Sequence, residues 1–292
     1  MIAVDLFEPY TFEFFRHAVI VAVLAGAVCG LVGVYVVLRG MSYIGHGLSH
    51  AVFGGAAAAS VMGINYFLGA GLWGIASGLL IGVVSRRRII GADAAIGVVT
   101  TASFALGLVL FATYGQARRS IEATLFGSVL GVEPSDILAV CLVGAAVVTA
   151  VVLRYRPMLF ATFDPDVAEV SGVPAARMDA LLMVMLSLTI LVTMRVIGVL
   201  LISALLVTPP ITARMLTNSF GRMLWMSPMI GSVTAFIGIN LSYHTDWPPG
   251  ATVILVGSAF FVVVYLGSGI QARRAVAGME SHHDDPRSLR AA

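Results

Sequence analysis

The feature that most constrains this chain is a series of long apolar segments that recurs from Phe14 to Leu266. A helix of about 20 apolar residues crosses the hydrocarbon core of a bilayer. Nine segments have the length and composition of such crossings, namely residues 14–38, 46–65, 68–85, 93–113, 136–153, 179–197, 198–216, 223–242 and 250–268. The sequence therefore predicts an all-α, polytopic membrane bundle of eight or nine transmembrane helices and excludes a soluble enzyme.

Residues 198–216 decide between eight and nine crossings. Gly198 and the pair Pro209 and Pro210 predict either a broken crossing or a re-entrant element, which is tolerated only where it packs inside protein. Basic residues of short loops stay on the cytoplasmic side of a membrane. With nine crossings, most of the Arg residues fall on one side. We therefore expect the N-terminus outside and the C-terminus in the cytoplasm.

Composition limits the function further. All 17 basic residues are Arg, whereas a Walker A phosphate loop requires a Lys, so any ATP hydrolysis must come from a separate subunit. The net charge of +2 gives no reason to expect a nucleic acid partner. No Ser-His-Asp set or paired-carboxylate motif indicates catalysis. We expect residues 1–270 to form a transmembrane domain and residues 271–292 to form a polar, disordered tail.

The most informative motif opens the second apolar segment. His46 and His50 stand four residues apart, so on a helix their imidazole rings share one face and can both reach one cation. Ionisable groups inside membranes are costly and tend to be functional. Gly40, Gly45 and Gly47 would permit an irregular helix start beside them, as transport sites often have. The alternative is that both rings only hydrogen-bond neighbouring helices or anchor the segment at the interface.

A second polar cluster lies in residues 240–250, before the last apolar segment. It contains His244 and Asp246, followed by a turn that Pro248 and Pro249 fix. These two side chains could complete the coordination shell of the histidine pair or form an outer gate. The other interpretation is an ordinary loop, in which the carboxylate only caps the next helix.

A third motif, in residues 163–174, has the signals of a short capped helix. An N-cap acceptor, a proline at the first helical position and a glycine just past the end define its limits, and two valines give it a narrow apolar face. The motif comprises Asp164, Pro165, Val167, Glu169, Val170 and Gly172. Such a helix either docks a soluble partner or lies on the membrane surface as a linker.

Five segments, in this order, resemble the signature motifs of the ABC-3 family of permeases, which serve bacterial importers of manganese, zinc and iron. They are residues 41–52, 93–97, 163–172, 198–213 and 241–250. The resemblance covers residues 15–268.

The resemblance implies a type II ABC importer-like fold in the bacterial plasma membrane, with no permanently bound cofactor. It implies a transporter of two permease copies, two cytoplasmic ATPases and an external metal-binding protein. In such permeases the segment that corresponds to residues 164–172 sits in a groove on the ATPase. ATP binding would then rock the membrane helices between outward-open and inward-open forms.

At the position of His46, the family motif usually carries Asp. An imidazole in place of a carboxylate shifts ligation from oxygen toward nitrogen, which suits Zn²⁺ better than Mn²⁺. We therefore expect zinc ahead of manganese or ferrous iron, at a site of His46 and His50 with His244 or Asp246.

Two other classes of function remain open at the level of sequence. In an ATP-independent secondary transporter or channel, the histidine pair would relay protons. A membrane metalloenzyme would need a fuller set of ligands.

Overall fold

The computed structural model describes residues 7–85, 91–114 and 131–283, and the secondary structure within these ranges is entirely helical. A short 3-10 helix at Glu8–Thr11 precedes the first long helix. The α-helices are α1 (Glu13–Leu38), α2 (Ile44–Met62), α3 (Tyr66–Ser85), α4 (Ala92–Tyr114), α5 (Pro134–Leu153), α6 (Tyr155–Phe163), α7 (Pro165–Val170), α8 (Ala175–Ile197), α9 (Val199–Leu216), α10 (Phe220–Thr245) and α11 (Pro249–His283). The all-α prediction is confirmed.

Each of the nine apolar segments corresponds to one long helix. Within the described ranges, seven helices are long and apolar enough to cross a membrane, namely α1, α3, α4, α5, α8, α10 and α11. Helix α2 is largely buried, and its two histidines lower its hydropathy. Helix α9 counts only as a shorter apolar helix, over Ile202–Leu216. A helix surrounded by other helices needs less apolar surface than one that faces lipid.

Helix α1 is the centre of the bundle and packs against α5, α8, α9 and α10. It runs antiparallel to α10. The Phe15 ring lies 5.2 Å from the Tyr243 ring near one end of this pair, and the Tyr35 ring lies 5.6 Å from the Phe220 ring near the other. These two contacts fix how α1 and α10 are aligned along the bundle axis, so the positions of other residues along this axis can be compared with residues on α1.

The contact between α1 and α10 depends on small residues. A Cβ atom on Gly26 would overlap the carbonyl group of Gly231, and the converse also holds. One turn further, Ser227 Oγ donates a hydrogen bond of 2.7 Å to the carbonyl oxygen of Gly30. Within lipid, the hydrophobic effect does not drive helices together. Their association therefore depends on close van der Waals packing of this kind.

Helices α8 and α9 are separated by one residue. Gly198 is the C-cap of α8 and the N-cap of α9, and its φ of 86° belongs to the left-handed region that favours glycine. The interruption predicted for residues 198–216 therefore lies at Gly198. Helix α9 continues through Pro209 and Pro210.

Two parts of the sequence-based topology fall at or beyond the described ranges. Residues 86–90, which contain three of the Arg residues used to assign orientation, lie outside them. Helix α11 runs as far as His283 and so enters the polar tail for which the sequence predicts disorder, while residues 284–292 lie outside the described part.

We expect Gly231→Ala to destabilise the protein by about 1–3 kcal/mol, because the added methyl group forces α1 and α10 apart. The measurement is thermal unfolding of the purified protein in detergent. Gly267→Ala is the matched control, since a Cβ atom at this helical glycine meets no atom within 4 Å. Equal melting temperatures for the two variants would contradict the packing described here.

Candidate metal centre and docking helix

The histidine pair lies on the first and second turns of α2, and both side chains are partly buried. The Nε2 atoms of His46 and His50 are 3.3 Å apart. The two ring centroids are separated by 4.6 Å, and the ring planes meet at 83°. The spacing of four residues therefore places both rings on one face of α2, as predicted, with one nitrogen of each ring close to the other.

This separation matches what chelation requires. Two imidazole nitrogens at about 2.0–2.1 Å from one tetrahedral Zn²⁺ ion lie about 3.3–3.4 Å from each other. Octahedral coordination at a slightly longer bond length gives a similar separation, so the distance suits several divalent first-row metals. The same 3.3 Å contact is a hydrogen bond between the two rings, and an ion held by both nitrogens would replace it.

An aromatic ring packs against each of the two imidazole rings. The Phe104 ring on α4 lies 5.0 Å from it at 70°, and the Tyr43 ring lies 5.3 Å from the His46 ring. His50 Nδ1 is buried and has no hydrogen-bond partner among the described residues.

Two of the three glycines beside the pair, Gly45 and Gly47, have a different role from the one predicted. Helix α2 begins regularly at Ile44, so the irregular start that these glycines would permit is not present. Gly45 instead lets α9 approach, because a Cβ atom there would lie 2.8 Å from Leu206 Cδ1. Gly47 lets α4 approach in the same way, with Thr100 Cγ2 at 2.9 Å. The glycines thus bring neighbouring helices close to the histidines.

The second polar cluster lies at another level of the bundle. Both Gly45 and Gly33 face Leu206, whereas Tyr243 packs on Phe15, near the start of α1. At 1.5 Å per residue, this register places the two clusters about 20 Å apart along the axis. His244 and Asp246 are both exposed, and Asp246 ends α10 in the left-handed conformation with φ 55°.

The described residues therefore bring together only the two histidines. Within residues 7–85, 91–114 and 131–283, no group of three His, Cys, Asp or Glu side chains is arranged to hold one metal ion. The structure does not bring His244 or Asp246 to the pair. Two protein ligands form an incomplete shell, which water or further groups would have to complete.

The predicted capped helix is present as α7. The carboxylate of Asp164 accepts a hydrogen bond of 2.9 Å from the backbone N–H of Val167, and Pro165 is the first helical residue. After the helix, the N–H of Gly172 donates to the carbonyl of Glu169 at 3.0 Å, with φ 80° at this glycine. This is a Schellman motif, so a helix of only six residues has both ends capped.

The outer face of α7 is apolar and accessible. Val170 is 92% exposed and Val167 is 49% exposed, while Ala168 on the opposite face is fully buried. Glu169 is also exposed. The buried side fixes α7 to the bundle, and the valine side is exposed at the surface of the chain.

Sequence reasoning missed the role of Arg39, which it treated only as one of the basic residues that set topology. The structure pairs this guanidinium with the carboxylate of Asp179 on α8 and with the hydroxyl of Thr162 on α6. The only signal available was the position of an Arg directly after an apolar segment, and that position is equally typical of a membrane-interface anchor.

A multi-pass helical bundle that contains a histidine pair has the architecture of a membrane transport protein. Residues 11–268 match the model of the ABC 3 transport family, and the chain belongs to this family. It is thus a multi-pass permease of the bacterial plasma membrane, and its relatives are transport components rather than enzymes.

Similar proteins have names that refer to metal transport. The chain is 36% identical to "Manganese transport system membrane protein MntC" of Halalkalibacterium halodurans, over 88% of each chain. It is 38% identical to "Probable iron transport system membrane protein" of Haemophilus influenzae, over 92% of this chain and 98% of the relative. Among solved structures, it resembles PsaBC from Streptococcus pneumoniae in complex with Fab, with a TM-score of 0.80 and 32% identity over 91% of this chain and 95% of the other.

We expect His46→Ala and His50→Ala each to weaken metal binding by about tenfold or more, because each removes one of two ligands. The measurement is isothermal titration of the purified protein with Mn²⁺ and with Zn²⁺. His244→Ala should leave the affinity of the histidine pair unchanged, since this residue lies far from the pair.

The double variant His46→Ala/His50→Ala gives the background from other histidines, including those of the tail. After subtraction of the binding that remains in the double variant, if His244→Ala lowered the affinity of the pair as much as His50→Ala does, His244 would belong to the same site and the separation of the two clusters would be wrong.

Proposed function

We propose that this chain is the permease subunit of an ATP-driven importer that carries a divalent transition metal ion into the cytoplasm. The observation that carries the proposal is the 3.3 Å separation of the His46 and His50 Nε2 atoms within the helical bundle of an ABC 3 family member. An ion held by two nitrogens and an otherwise incomplete shell is bound firmly enough to enter and weakly enough to leave. A transport site requires both properties.

Manganese is the cargo that we place first. The names of several relatives, such as "Manganese import system permease protein ScaB" of Streptococcus pneumoniae, refer to this ion, and one relative is named for iron. These names do not support the preference for zinc that His46 suggests. Imidazole nitrogen binds Mn²⁺, Fe²⁺ and Zn²⁺, with affinity that rises toward Zn²⁺ for a given site. Of these three ions, Zn²⁺ is therefore the one that the histidine pair discriminates against least.

The proposed topology has nine crossings, with α2 and α9 inside the bundle, an outside N-terminus and a cytoplasmic C-terminus. In this orientation His244 and Asp246 lie at the outer face. There an imidazole and a carboxylate can receive the ion from an external metal-binding protein. The histidine pair then lies deeper, along α2. Two copies of the chain would form the complete pathway together with two ATPases.

Helix α7 is the proposed contact with the ATPase. Its motif residues, Asp164, Pro165, Val167, Glu169, Val170 and Gly172, give a rigid knob with an apolar face and flanking acids. When the ATPases close on ATP, pressure on this knob would tilt the helices behind it. Since the chain contains no Lys and hence no Walker A loop, ATP must be hydrolysed by the separate ATPase subunit.

The test of the proposed function is metal uptake into proteoliposomes that contain the permease, the ATPase and the external binding protein. We expect uptake of Mn²⁺ that requires ATP and that falls to background in the His50→Ala variant, because the ion loses half of its protein ligands. Competition with Zn²⁺ and Fe²⁺ measures the selectivity. The variant must still insert and bind the ATPase.

Two outcomes would contradict this proposal. Uptake that continues without ATP would favour a secondary transporter or channel that uses the same histidines. Normal uptake by the His50→Ala variant would remove the pair from the pathway.

We expect Val167→Asp to uncouple ATP hydrolysis from transport, since a charge on the apolar face opposes docking. The measurement is the ratio of metal transported to ATP hydrolysed in the same proteoliposomes. Leu216→Asp is the matched control. Leu216 is also 49% exposed and ends α9 on the proposed cytoplasmic side, but it lies outside α7. An equal effect of both substitutions would indicate that α7 is only a surface linker.

A further inference from the structure

One guanidinium group joins three helices near the docking helix. Arg39, the C-cap of α1, donates from Nη1 to Asp179 Oδ1 on α8 and from Nε to Thr162 Oγ1 on α6, the latter at 3.3 Å. The Arg39 side chain is only 9% exposed and that of Asp179 is 21% exposed. A buried ion pair of this kind holds its partners in one geometry, because removing either partner leaves a charge without compensation.

The α6 end of this cluster is continuous with the docking helix. Thr162 is buried and stands two residues before Asp164, the N-cap of α7. Its hydroxyl also donates to the carbonyl oxygen of Met158 at 2.6 Å, so its orientation is fixed within α6. Movement of α7 must therefore reach Thr162 through very little intervening chain.

The α1 end is continuous with the metal-binding helix. After Arg39, the N–H of Gly40 donates to Val37 and the N–H of Met41 donates to Val36, at 3.1 and 3.0 Å. These two bonds form a Schellman motif, with φ 69° at Gly40. The next bond, from the N–H of Ile44 to Met41 at 2.9 Å, begins α2. Three backbone hydrogen bonds therefore hold the link from Arg39 to the first turn of α2, which carries His46.

The guanidinium retains unused capacity. Arg39 Nη2 is buried and has no hydrogen-bond partner among the described residues. Arg can use its five N–H donors in a rigid fork, so this group can take a further acceptor without releasing Asp179. In a second conformation of the transporter, Nη2 could therefore bond a different acceptor while Nη1 stays bonded to Asp179.

We propose that Arg39 is a positioning residue that couples the docking helix α7 to the histidine pair on α2. Its bond to Thr162 transmits the displacement of α7, its bond to Asp179 provides the fixed point on α8, and the rigid turn after it carries the displacement into α2. This inference rests on the proposed function, because it assigns a route between the two sites which that function requires.

The experiment compares variants of Thr162 in the complete transporter in proteoliposomes, with metal uptake and ATP hydrolysis measured on the same sample. Thr162→Val removes the acceptor with little change of shape, and we expect it to lower the ratio of metal transported to ATP hydrolysed by about tenfold or more, the effect of losing one hydrogen bond to a charged group. Thr162→Ser keeps the hydroxyl and should keep the ratio.

Thr189→Val is the control for loss of a helical back-bond. Thr189 is fully buried and donates to the carbonyl of Met185 at 2.8 Å on α8, in the same manner as Thr162 on α6. It should leave the ratio unchanged. Arg39→Lys keeps the charge but loses the fork, so it should lower the ratio as Thr162→Val does.

The possible outcomes separate the two proposals. If the wild-type complex showed no ATP-driven uptake, the proposed function would fail and this inference with it. If the wild type transported and the Thr162→Val and Arg39→Lys variants, correctly folded by thermal unfolding, kept the wild-type ratio, only the role of Arg39 would be overturned. Should one of the two variants fail to fold, the ratio of the other decides.

Discussion

Hydrocarbon offers no hydrogen-bond partner to a peptide group, and the whole architecture depends on that constraint. Each apolar segment must satisfy its backbone internally, so each becomes a helix. Attraction between helices must then come from close packing, which is why Gly26 and Gly231 bring the backbones of α1 and α10 together. The same requirement places Gly45 and Gly47 beside the histidines, where they draw α9 and α4 toward the pair.

Three groups of charged or ionisable side chains lie at different levels of this bundle. The exposed cluster around Asp246 lies at the end of α10, the histidine pair lies within α2, and the ion pair of Arg39 lies at the end of α1. An ion and a conformational signal would thus travel along different routes that meet on α2. In the proposed transporter, that arrangement would let the ATPase act on the histidine pair without contacting it.

Local patterns in the sequence predict the individual helices, but they do not predict which residues of different helices come into contact. The capped helix α7 and the shared face of His46 and His50 follow from spacing within one segment, and the structure has both. The distance between His50 and Asp246 and the partnership of Arg39 with Asp179 depend on the packing of segments more than a hundred residues apart. No periodicity within a single segment encodes such contacts. The short helix α6 escaped notice for a related reason, because its apolar residues are too few to stand out beside a membrane span.

The single residue between α8 and α9 has a mechanical consequence. Gly198 leaves no flexible chain between a helix of 23 residues and one of 18, so a tilt of one of these arms would be passed directly to the other. One arm holds the carboxylate that anchors Arg39, and the other presses Leu206 against Gly45, one residue before the first imidazole. In the proposed transporter, tilting α8 would therefore change the space around His46, and release of the ion would follow from this movement of the helices.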